Sequence, residues 1–92
     1  MLYTDVLAKA TNVDPDDEVL ADVYEAIAAT PRVDAPSLSA DIVDRVVYVR
    51  ADVEADTRVD AELRLVKALG EALARRVAGT RVTYVMPALA GE

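Results

Sequence analysis

The chain contains no cysteine and no histidine. Without thiols or imidazoles it can form no disulfide, no thiolate or imidazole metal site, and no Ser-His or Cys-His catalytic pair. Phenylalanine and tryptophan are also missing, so the core must be built from the Ala, Val and Leu that dominate a hydrophobic fraction of 53%. Side chains that small stabilise a fold only when they pack closely. Lysine is limited to Lys9 and Lys67, and no apolar run approaches the about 20 residues of a membrane-spanning helix. Met1 to Ala10 carries Asp5 and no basic start, which is unlike a secretory signal. A soluble, cytoplasmic protein with no membrane span is expected.

Ninety-two residues correspond to one small domain, which buries roughly 60–65% of the surface its unfolded chain exposes. The net charge of −7 comes mainly from aspartate. A field of that sign repels phosphate backbones, so no nucleic-acid partner is expected. The same bias fits a salt-adapted source, a GC-rich genome or an ordinary solvated acidic surface.

The chain is organised around Leu38 to Ala55, whose densest part, Val46 to Val53, has the β-branched and aromatic content of a strand. Period two puts Val47, Val49, Ala51, Val53 and Ala55 on one face, and Val46, Tyr48, Arg50, Asp52 and Glu54 on the other. The first face reads as core, the second as half wet. Leu38, Ala40 and Ile42 alternate as a half-buried strand before it, and Asp44-Arg45 between them predicts a hairpin or a bulge within one long strand.

The flanking segments read as helices and a last strand. Leu2 with Val6, and Tyr3 with Leu7 and Ala10, have helical spacing, although Leu2, Thr4, Val6 and Ala8 also alternate; a short N-terminal helix is favoured over a strand. Asp14 before Pro15 reads as a helix N-cap, with Leu20, Val23, Tyr24 and Ile27 as the apolar stripe and an end near Ala29. Asn12, Asp14 and Asp16 also match the start of a calcium loop, but Asp17 stands where that loop needs glycine and Val23 where it needs a bidentate glutamate. Pro31 to Ser37, with two prolines, reads as a loop.

Thr57 and Asp60 have capping-box spacing before a second helix that runs to Ala78, with Gly79 at its C-cap. Its expected apolar stripe is Leu63, Val66, Leu69, Gly70, Leu73 and Val77. Thr80 to Met86 alternates as a final strand that Pro87 stops. The predicted fold is therefore α+β: a small αββαβ two-layer sandwich with a three-stranded sheet, helices on one face, and an N-terminal short helix or strand. It forms one domain over 1–92, with an extension over 1–12, a core over 13–87 and a loose tail over 88–92.

Ala26-Ile27, Pro31 to Ala35, Leu38 to Val43 and Val46 to Val53 resemble the BON domain, a small bacterial αββαβ module, although Arg45 and Ala51 stand where that family has glycine. The resemblance implies a non-enzymatic binding module and transfers no site residues. Ala68-Leu69-Gly70 before a basic turn is similar to the KH-type ribosome-binding factor A, against which the acidic charge speaks. The helix leading into Pro31-Arg32-Val33 is similar to baseplate-wedge proteins of tailed phages, which are assembly parts.

Asp52 and Glu54 share a strand face about 7 Å apart, but carboxylates on a wet face are ordinarily solubility residues. No cofactor, no metal site and no enzymatic activity are expected. What remains is a protein–protein assembly module that self-associates into a homo-oligomer or docks a partner, including as a component of a virion or other large complex. The alternative is a monomeric BON-like or KH-like ligand-binding module. The candidate contact residues are Val46, Tyr48 and Arg50 on the wet strand face, and Arg75, Arg76 and Arg81, the only concentrated positive charge.

Overall fold

The computed structural model describes residues 1–74 and 81–84, with side chains through residue 74. Its elements are β1 (Leu2–Thr11), α1 (Asp17–Ala28), β2 (Val33–Asp41), β3 (Val46–Glu54), α2 (Arg58–Ala74) and β4 (Arg81–Tyr84). The strands form one antiparallel sheet in the order β2-β3-β1-β4. Helices α1 and α2 each cross over a strand that lies between the two they connect, the split βαβ arrangement. The expected α+β sandwich with an αββαβ succession stands. Its N-terminal segment is the strand of the two readings, not the helix.

That strand is no appendage. Val6, Ala8 and Ala10 are buried opposite Ala51, Val49 and Val47 of β3, so the alternating pattern prevails over the helical one. The cause is tertiary: without β1, nothing would join β3 to β4. A helix at the same place would leave both ladders unpaired.

The core lies between the sheet and both helices. On β3 the buried face is Val47, Val49, Ala51 and Val53, as expected. On α1 it is Val19, Val23 and Ile27, with Tyr24 exposed, so the stripe is rotated from the expected one. On α2 it is Ala61, Leu65, Leu69, Ala72 and Leu73; Leu63 is 53% exposed and Gly70 is only half-buried. Ala68 and Ala72 border a hollow with Ala26, Ala29 and Thr30, so that side of α2 meets α1, while Leu65, Leu69 and Leu73 join the core cluster with Val66 packed against it.

Two local expectations are corrected, and of the two readings of 38–55 the hairpin is the one present. Helix α1 is capped by Asp16, whose carboxylate accepts the Val19 N–H at 2.9 Å, not by Asp14. Residues 33–37 are strand, because Pro36 falls in a bulge between Asp34 and Ser37 on the edge strand, where its missing N–H interrupts no ladder. The 38–55 stretch is a hairpin whose turn ends on Arg45, held at φ 58° without glycine. The Thr57 cap holds, its hydroxyl accepting the Asp60 N–H at 3.1 Å. The expected end of the second helix at Ala78, its Gly79 cap, the strand ends at Thr80 and Met86, and the tail lie outside the described residues. No described helix is long and apolar enough to cross a membrane.

Candidate interaction surface

Because both helices share one side of the sheet, the opposite face carries no helix among the described residues. The first eleven residues do not fold across it; they run within the sheet plane. Register orders the face in rows. Nearest the β2–β3 turn, Asp41, Val46 and Thr11 are aligned, with Arg81 next to Thr11 by pairing. The next row is Ser39, Tyr48 and Lys9, with Thr83 beside Lys9 in register. Then come Ser37, Arg50 and Leu7, and after them Asp34 and Asp52.

The face is thus divided by charge. Lys9 and Arg50 surround Tyr48, which is 38% exposed, on the two central strands. Tyr48 and Arg50 with Leu7, Ser37 and Ser39 line a depression of about 440 Å³. One row further along β3 the sign reverses: Asp34 pairs with Asp52, and the Asp5 backbone N–H donates to Asp52 Oδ1 at 3.3 Å. Four residues separate Tyr48 from Asp52, about 13 Å along the strand. Carboxylates placed directly opposite one another repel and destabilise a sheet.

The backbone is shaped at the same level. Both neighbours of β3 carry a bulge beside Ala51 and Asp52, and each bulge contains a non-glycine residue in the left-handed region, Asp5 at φ 56° and Ala35 at φ 51°. A left-handed alanine costs about 1–2 kcal/mol against its ordinary conformation. Bulges twist and bend a strand, so the acidic row lies where the sheet surface turns away from the Tyr48 row.

Of the residues expected to make contacts, Tyr48 and Arg50 come together on this face and Val46 does not take part in the same way, being buried between Asp41 and Thr11. Arg81 lies on β4, paired with Thr11, at the Val46 row. Arg75 and Arg76 lie outside the described residues. Leu7 and Lys9 were not singled out from the sequence; their signal was the alternate reading of 2–10 as a strand, whose wet positions they are. Glu62, 1% exposed on α2, is the one buried charged side chain among the described residues, and it is engaged by an interaction. A stripe drawn through Ala61 and Leu65 would have found it.

The calcium-loop residues diverge into structural roles. Asp14 accepts from Arg45 Nε at 2.8 Å, and Asp16 caps α1. Comparison of the chain with protein-family models, with curated proteins and with solved structures finds no match.

Proposed function

We propose that this chain is a non-catalytic assembly module that mates the helix-free face of its sheet with the same face of a second copy. The division of that face into a Lys9–Tyr48–Arg50 band and an Asp34–Asp52 band supports the reading. A two-fold axis passing between the bands sets each copy's cations over the other's carboxylates, the self-complementarity an isologous contact requires. Tyr48 then supplies the aromatic anchor at the centre. Strands of ten, nine, nine and four residues offer roughly 500 Å² per copy, at the low end of specific interfaces. The contact is therefore reversible and closes at a dimer, suited to a component that docks within a larger complex, a virion included.

A second reading, a monomeric ligand-binding module, is favoured by the depression beside Arg50 and Tyr48. Its ligand would be a small anion, since Asp5, Asp34, Asp52 and Glu54 nearby disfavour the extended charge of a nucleic acid. Light scattering after size exclusion separates the readings. At low micromolar concentration, assembly across the sheet requires a mass of at least twice 9.9 kDa that Tyr48→Glu returns to the monomer without loss of helicity. A monomer at every concentration and salt sinks the assembly reading.

A further inference from the structure

The sheet face does not account for the most exposed apolar side chains, which sit at the two ends of the molecule. At one end the β2–β3 turn raises Ile42 and Val43, 76% and 90% exposed. Turns are ordinarily polar, with Gly, Asn or Asp at such positions. This one is held firmly: the Asp44 N–H donates to Asp41 Oδ1 at 2.9 Å, the Val13 N–H to the Arg45 carbonyl at 3.2 Å, and Arg45 pairs with Asp14. The apolar tip is thus preorganised, which lowers the ordering cost of inserting it into a partner. Its surroundings are acidic, with Asp41, Asp44, Asp14 and Asp16 close in chain or by contact. An anionic membrane would be repelled by that ring.

The other end sets cations among its acids, with Arg58 and Arg64 beside Asp56 and Asp60. Val59 and Leu63, 57% and 53% exposed, are one turn apart on the outer side of the first two turns of α2. Arg58, Arg64 and Lys67 flank them, and Leu63, Arg64 and Lys67 share a shallow hollow with Asp60. Strand β3 runs from the turn to the loop before α2, so the two apolar pairs lie about 30 Å apart at opposite ends of its length.

From this polarity we infer that the turn of one copy docks on the start of α2 of the next, Ile42 and Val43 against Val59 and Leu63, with the Asp41 and Asp44 carboxylates facing Arg64 and Lys67. The contact is heterologous, so repetition gives a ring or a filament, unlike the closed pairing across the sheet. The inference rests on the assembly reading only in taking a second copy as partner; its surfaces are different ones. Four apolar side chains are few against a standard interface of about 1,200–2,000 Å², so association grows over high micromolar concentration.

Two variants test it, both altered only at exposed positions. Ile42→Ser/Val43→Ser removes the donor end, and Val59→Ser/Leu63→Ser the acceptor end, with Tyr48→Glu added to both to silence the sheet face. By sedimentation at about millimolar concentration, each alone is expected to be monomeric, and an equimolar mixture to form a one-to-one complex, because one intact donor meets one intact acceptor. The Tyr48→Glu chain with both ends intact is expected to gain mass steadily with concentration. A mixture that stays monomeric, or a Tyr48→Glu chain that never grows, overturns the end-to-end contact and leaves the sheet reading to its own experiment.

Discussion

Leu63 and Leu65 are two positions apart on α2, and substitution of each by alanine gives opposite expectations. Leu65 is fully buried, packed in the core cluster with Val6, Val49 and Leu69. Leu65→Ala removes its transfer free energy and leaves a hole that neighbours as small as Ala61, Ala68 and Ala72 cannot fill, costing about 3 kcal/mol within the range of about 2–5 for such changes. Against a total stability on the order of 5–14 kcal/mol for a chain of this size, that is a large fraction. At about 4–8 °C per kcal/mol the midpoint falls by roughly 12–24 °C. Leu63 is half exposed, and Leu63→Ala costs about 0.5 kcal/mol at most, partly offset by the better helix propensity of alanine. Urea titration of both variants by far-UV circular dichroism reads the difference directly. Equal midpoints, or Leu63→Ala as the more damaging change, would refute the placement of Leu63 outside the core and restore the stripe through it.

Asp16→Ala should cost about 1 kcal/mol, for the carboxylate that accepts the Val19 N–H caps α1, while Asp14→Ala loses an exposed ion pair and costs about 0.5 kcal/mol or less; thermal melts that rank the two the other way contradict the cap. Ala35→Gly should stabilise the fold by about 0.5 kcal/mol, because relief of the left-handed alanine exceeds the entropy that glycine adds to the unfolded chain. A lower melting temperature for that variant would mean that the bulge does not need its positive φ. Loss of the sheet-face dimer in Tyr48→Glu at low micromolar concentration, and the one-to-one complex between donor and acceptor variants, complete the set.

Local chemistry was legible wherever a signal is carried by neighbours in sequence. The Thr57 cap, the end of α1 near Ala29 and the two faces of β3 follow from short-range pattern, and each is present. Which side of a helix is buried was legible in part: Val23 and Ile27 on α1 and Leu69 and Leu73 on α2 are core as expected, but Tyr24 and Leu63 are exposed, because each helix carries more apolar residues than one stripe holds. On α2 the buried arc takes in Ala61, Leu65, Ala68 and Ala72 instead of Leu63, with Val66 packed at its margin, and only the placement of the sheet and α1 around the helix decides that. The candidate surface was half legible. Tyr48 and Arg50 were placed on a wet face by period two, but Lys9 and Leu7 joined them only through the pairing of β1 with β3.

The sequence by itself determined the succession of elements from α1 onward, the acidic charge, the absence of thiol and imidazole chemistry, and the alternation that makes β3 two-faced. These depend on composition and on residues within one turn or one pleat of each other. The tertiary structure alone decided that residues 2–11 are a central strand, that Pro36 sits in an edge bulge, and that Ile42-Val43 and Val59-Leu63 stand at opposite ends. The physical reason is the same in each case. A segment with two periodicities, a proline compatible with an edge, and an apolar pair left over by the core all take their state from partners far away in the chain, and a backbone that must pair every ladder it buries chooses among them.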